Sequence, residues 1–164
     1  MNSGPTSVRS DHEVIVMDQD HNLRNDAARE RLRAVVTGLS ESQLRLPLSR
    51  GGWTVASALA HLAYWDRRNR EQLEEWSRGG PGQVRSTSIG PDDTNERLLT
   101  EWLAMPPAEA VRQALAAAEE TDHLVAALPE DMAEAILKAR GRSVCRYIHR
   151  LEHLSEIEAA LVRA

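Results

Sequence analysis

Tyr147-Ile148-His149-Arg150-Leu151-Glu152-His153-Leu154 is the stretch on which the reading of this chain turns. Residues four apart stack on one face of a helix. If the segment is helical, His149 and His153 can therefore offer two imidazoles to one metal ion. A third ligand must come from elsewhere. The best candidate is His61, in Trp53-Thr54-Val55-Ala56-Ser57-Ala58-Leu59-Ala60-His61-Leu62-Ala63-Tyr64-Trp65-Asp66, which also reads as helix. The two stretches together predict an all-α helical bundle with a three-histidine metal site.

The composition agrees with a helical fold. Alanine and leucine are common, β-branched runs are few, and phenylalanine is absent, so Leu, Ala, Val and the four tryptophans must make the core. A chain of 164 residues suggests one domain with a real core. A net charge of −5 and a pI near 5.7 do not suit a general nucleic-acid binder. The single cysteine, Cys145, excludes an intramolecular disulfide and suits a reducing cytoplasm. No apolar run approaches the roughly 20 residues that span a bilayer, and the first residues lack a signal-peptide pattern. The expectation is a cytoplasmic protein with no nucleic-acid or membrane partner.

Taken in order, residues 1–20 form an arm whose one apolar spot is Val14, Ile15, Val16 and Met17; residues 21–164 form the bundle domain. His12 and His21 read as solvated. A first helix over about residues 22–39 carries Leu32, Val35, Val36 and Leu39 at helical spacing and ends at Gly38 and Ser40. Residues 41–52 are a connection. The second helix follows Trp53, with Thr54 as N-cap. Its stripe is Val55, Leu59, Leu62, Leu73 and Trp76, and His61 falls roughly 90° from the centre, on a flank that can face a cleft. Asp66 and Asn69 lie on the stripe, so Asp66 must find a buried partner; it could tie two helices together or orient a liganding imidazole.

Residues 78–94 form a long polar crossover. Asp92 or Asp93 can cap a short helix ending at Ala104, with Glu96 completing a capping box. Pro106 and Pro107 interrupt before a third long helix over about 108–128, closed by Pro129. His123 reads as surface. The last helix spans about 142–162, with Val144, Ile148, Leu151, Leu154 and Leu161 as its core arc. On that wheel His149 and His153 lie roughly opposite the core, where two solvated histidines look the same as two ligands. Cys145 and Glu156 share their face. The bland reading of Cys145 is a small helix residue.

These stretches resemble the DinB-like superfamily. Gly51-Gly52-Trp53-Thr54-Val55-Ala56 followed by Leu59-Ala60-His61-Leu62-Ala63-Tyr64-Trp65-Asp66 is similar to the second helix of that family. The His149–His153 helix, with Leu154 and Ile157, is similar to its last. Asp92-Asp93-Thr94-Asn95-Glu96-Arg97 and Pro106-Pro107-Ala108-Glu109 also resemble many members. The likeness covers about residues 22–164. It implies an antiparallel four-helix bundle with a long crossover loop and a short extra helix. It also implies a divalent metal ion (zinc, nickel or iron) held by His61, His149 and His153. Several relatives are transferases or isomerases that use a low-molecular-weight thiol: bacillithiol, mycothiol or glutathione. The mycothiol-dependent isomerase branch has a glutamate where this chain has His149, which weakens kinship with it. Members that sequester or modify a toxin have lost ligands that this chain keeps.

Three protein ligands leave an open position, the mark of a catalytic site. Glu156 would accept a proton there, and Cys145 is a fourth ligand or a bystander. The first functional reading is thus a metal-dependent thiol transferase, or a hydrolase at the same site. The second is a binding module that holds a small molecule or toxin in a cleft lined by Trp53, Trp65 and Trp102. The third is an interaction protein, a homodimer paired through residues 14–17 or a bundle face. Gly79-Gly80-Pro81-Gly82 precedes no strand–helix unit and carries no nucleotide role.

Overall fold

The computed structural model describes residues 20–84 and 91–164. All the elements are helical: α1 His21–Val36, α2 Glu41–Leu44, α3 Val55–Gly79, α4 Pro91–Ala104, α5 Pro107–Ala126, α6 Glu130–Arg140 and α7 Arg146–Arg163, with 3-10 turns at Pro81–Gln83 and Gly141–Ser143. Among the described residues no strand forms, and no helix is long and apolar enough to cross a membrane. The expected arm, with His12 and residues 14–17, lies outside the described residues except for Asp20, the N-cap of α1.

Local signals set most boundaries. Gly38, at φ 86°, stands just past α1 in the left-handed region that glycine adopts without strain. Thr54 caps α3 as expected. Its Oγ1 accepts from Ser57 N at 3.2 Å, and Ser57 Oγ accepts from Thr54 N at 2.8 Å. In the connection before it, Ser40 and Gln43 form a second capping box for the one-turn α2. Two boundaries differ from expectation. Helix α4 begins at Pro91, so Asp92 and Asp93 lie inside it rather than at its cap; proline supplies the first-turn φ at no hydrogen-bond cost. Pro129 does not merely close α5. It is the N-cap of α6, a helix absent from the sequence reading, with Glu130 and Asp131 in its first turn and Lys138 and Arg140 in its last.

Helices α1, α3, α5 and α7 make the four-helix bundle. Asn25 meets Tyr147 while Arg31 meets Glu158, so α1 and α7 run parallel. Arg67 meets Gln113 and Arg70 meets Glu120, so α3 and α5 run parallel too. The two pairs oppose each other: Arg29 bonds Asp122 while Arg33 faces Glu119, and Asp66 of α3 meets Arg146 of α7. Parallel neighbours need a lengthwise crossover, and residues 80–106 supply it, with α4 as the expected extra helix. Among the described residues the α3–α5 interface is the most extensive and is rich in buried alanine, whereas the α3–α7 seam is slight. Small side chains let two axes approach; large ones hold them apart.

Three layers stack along the bundle. One apolar cluster joins Leu32, Val55, Leu59, Leu62, Leu154 and Ile157; a second joins Leu73, Trp76, Val125, Met132, Ile136 and Val144. Between them lies a buried polar layer. Arg150, 0% exposed, donates to Asp66 Oδ2 (3.1 Å), Asp122 Oδ2 (2.7 Å) and the carbonyl of Ala118 (3.3 Å). Arg146 donates to Asp66 Oδ1 at 2.8 Å and Arg29 to Asp122 Oδ2 at 2.9 Å. The expected buried partner of Asp66 is therefore found, and there are two. Burial opposes the charge on Arg150, but the two aspartates outweigh it and hold the guanidinium above its ordinary pKa. Arg150→Met leaves both carboxylates short of a partner in a dry layer. Urea denaturation should show a loss of about 3 kcal/mol; a loss below about 1 kcal/mol, the range of an exposed pair, would contradict the assignment.

Candidate metal centre

His61 leaves the second turn of α3, and His149 and His153 leave α7, which runs the other way beside it. The seam between these helices brings all three together. One ring nitrogen from each residue can be chosen so that all lie within 4.8 Å of one another. His61 Nε2 and His149 Nε2 are 3.0 Å apart, against about 3.3 Å between two nitrogens of a tetrahedral zinc centre with bonds near 2.0–2.1 Å. His61 and His153 are buried and His149 is half-buried. The helical wheel had put His149 and His153 opposite the core. His153 faces it, with His149 at its edge, because the true inner arc of α7 is Arg146, Arg150, His153, Leu154, Ile157 and Ala160, including two arginines absent from the core arc read from the sequence.

Aromatic rings close the floor. The Trp53 and Trp102 rings each stand 5.1 Å from that of His61, edge on, and Trp53 stacks along His153 at 6.4 Å. Trp65 donates its Nε1–H to Asn95 Oδ1 at 2.9 Å, which pins α4 against α3. Glu156 accepts from His153 Nδ1 at 3.1 Å and from Arg50 Nη2 at 3.0 Å. Arg50 in turn lies over the Trp53 ring at 5.3 Å. His153 is thus oriented with Nε2 toward the other two rings, the usual arrangement of a carboxylate behind a liganding imidazole.

A model of the DinB superfamily matches residues 24–156. The chain belongs to that superfamily. Comparison with curated proteins and with solved structures gives no match.

In this member of the DinB superfamily the remaining site candidates are placed as follows. Cys145 is not among the three clustered residues; it precedes α7 and packs against the second apolar cluster. Glu156 stands beside the histidines with both carboxylate oxygens engaged, one to a ring nitrogen and one to Arg50. His21, read as solvated, is buried at the start of α1, while His123 is exposed as expected. Sequence reasoning missed Arg146 and Arg50. The signal for Arg146 was present: Arg146, His149, Arg150 and His153 follow i, i+3, i+4, i+7, one continuous stripe of arginine and histidine.

The donor set suits a divalent cation. Burial, then the charges of His153 and Arg50, lower the His61 pKa to about 3. Burial, then Arg146, His153 and His61, push His149 well below its ordinary value. Burial also lowers His153, against the opposing pull of Glu156. All three rings are therefore neutral at pH 7, the state that a metal requires. His61 Nδ1 is buried without a hydrogen-bond partner; Asn95 is near enough to favour the charged ring but not at bonding geometry. One contact fits less well. Arg146 Nη2 lies 3.4 Å from His149 Nδ1, where coordination through Nε2 would leave a proton. That contact is long, and Arg146 keeps its bonds to Asp66 and to the carbonyl of Arg142 without it.

A depressed histidine pKa contributes stability that is whole above the unfolded value near 6.5 and is lost as pH falls toward the folded one. For His61 the loss between pH 7 and pH 5 is about 2 kcal/mol. Metal-free protein should therefore unfold at lower urea at pH 5 than at pH 7. His61→Leu should flatten that slope, and equal slopes in both proteins would contradict the assignment.

Proposed function

We propose that this chain binds one divalent cation through His61, His149 and His153 and acts as a metal-dependent transferase of a low-molecular-weight thiol on a small-molecule substrate. The observation that carries the reading is the convergence of three neutral imidazoles, two buried and one half-buried, from two antiparallel helices beneath an open cleft of about 540 Å³. A cation held by three protein ligands keeps a position open and, as a Lewis acid, draws the pKa of a thiol or a water toward neutrality.

The chain's own residues supply the rest. Trp53 and Trp102 exclude water from the floor and so strengthen every polar interaction above it. Glu156 is a positioning residue: it holds His153 Nδ1–H, and Arg50 holds it. Glu152, which lines the cleft, is better placed than Glu156 to take the proton from an incoming thiol. The cleft size also favours a second reading, a bundle that sequesters a small molecule without turnover.

Elemental analysis of tag-free protein purified without chelators should give about one divalent ion per chain, the stoichiometry of a three-histidine centre. The His149→Ala/His153→Ala protein should give none while keeping its helical circular dichroism. Glu156→Gln should keep the site but weaken the metal by about 10–100-fold. Cobalt-substituted protein should gain a sulfur-to-metal absorption band on addition of glutathione. Metal without such a band for any of several thiols would leave the sequestering reading in front, and equal metal content in wild type and double variant would remove both the site and the transferase.

A further inference from the structure

The cleft above the histidines departs from the charge of the chain that forms it. The protein carries 20 Lys and Arg against 25 Asp and Glu, yet the cleft is lined by Arg50, Arg68, Arg140, Arg142 and Arg146 and by one carboxylate, Glu152. Arg50 and Arg146 are turned to inner partners, Glu156 at 3.0 Å and Asp66 at 2.8 Å. Arg68 and Arg142 are different. Their ion pairs, with Glu71 at 3.3 Å and Glu152 at 2.7 Å, join side chains that are all more than half exposed. Exposed pairs of this kind contribute about 0–1 kcal/mol, so a ligand's anionic group can displace them.

The arginines have a definite place relative to the histidines. His61, Trp65, Arg68, Asn69 and Gln72 line the cleft from α3, a stripe at i, i+4, i+7, i+8 and i+11. At 1.5 Å rise per residue, Arg68 stands about 10 Å along the helix from His61. Arg140 and Arg142 come from the opposite wall, the end of α6 and the turn before α7. The cleft is therefore aromatic and imidazole-lined at its floor and guanidinium-lined at its outer end. Guanidinium presents paired donors that match carboxylate and phosphate oxygens, and arginine is nearly the only cationic residue here, Lys138 being the sole lysine.

We propose that the cleft binds an elongated small molecule bearing two or more oxyanion groups, carboxylate or phosphate, with Arg68, Arg140 and Arg142 holding the anionic end beyond the histidines. Which end reacts rests on the metal-centre reading; the anion site rests on the arginines alone. Trp65, one of four tryptophans, lines the same cleft, so tryptophan emission is a probe of its occupancy.

The test titrates the full chain, zinc-loaded and metal-free, with succinate, with inorganic phosphate and with the neutral isostere succinamide, reading tryptophan emission and heat. At least one dianion should bind both forms, more weakly as salt is raised, and succinamide should bind at least about tenfold more weakly than succinate or not at all. Arg68→Gln/Arg142→Gln should weaken the dianion by about tenfold with unchanged zinc content and melting temperature. Succinate separates from phosphate by which of the two binds tighter. Failure of both dianions, equal binding of succinamide, or undiminished binding by the double variant overturns the proposal. Dianion binding by a wild-type chain that takes up no zinc sinks the metal reading and leaves this one standing; zinc uptake without dianion binding does the reverse.

Discussion

The guanidinium of Arg150 is the constraint on which this bundle is built. It is a full charge with no access to water, and such a charge is tolerated only when carboxylates and carbonyls surround it. Those partners come from three other helices: Asp66 on α3, Asp122 and the carbonyl of Ala118 on α5, and the carbonyl of Asn25 on α1. The Asn25 side chain closes the ring by donating to the carbonyl of Val144 and accepting from the amide of Tyr147. Directional bonds of this kind do what the apolar layers cannot. Both α3 and α5 bury many alanines, small and repetitive, so a one-turn slip between them would trade one alanine for another at modest cost. The same slip of α7 would strip Arg150 of every partner. We take the polar layer as the device that fixes register.

The histidine site inherits that register. His149 and His153 flank Arg150 on either side, and His61 lies five residues before Asp66 on the helix that faces it. Once Asp66 and Arg150 are joined, the turn of α3 that carries His61 is opposite the turns of α7 that carry the other two. The bulk of these side chains also explains the shape of the molecule. Arginine and imidazole hold α3 and α7 apart where alanine draws α3 and α5 together, and the cleft opens along the wider seam.

The four long helices, the Thr54 cap, the crossover with its extra helix and the buried partner of Asp66 were legible in the sequence because each leaves a local or periodic mark. Three features were not. Helix α6 was lost because Pro129 was taken as a stop, although proline is equally at home before a helix start, and the acidic first turn and basic last turn of Glu130–Arg140 were present to say so. The facing of α7 was misjudged because a wheel that counts arginine as outside cannot find a buried arginine. Partner and burial are decided together in three dimensions, and Asp122, the second partner of Arg150, sits more than fifty residues from Asp66. The basic character of the cleft was also hidden, since its arginines come from three separate stretches, at 50, 68 and 140–146, of a chain that is acidic as a whole.

The two polar clusters make opposite demands on the fold. In the Arg150 layer charges meet their complements. At the histidines only the Glu156–His153 bond is complementary: three neutral rings share one short nitrogen–nitrogen contact, His61 Nδ1 is left without a partner, and arginines add to the positive field. A cluster of that kind subtracts from stability until something with electron-accepting character enters it, and it persists only because the layer beside it and the two apolar clusters hold the backbone in place. The separation is functional in its consequence. The residues that fix the helices are not the ones that would exchange bonds with a cation or a substrate, so the site can change its occupancy without changing the register that assembles it.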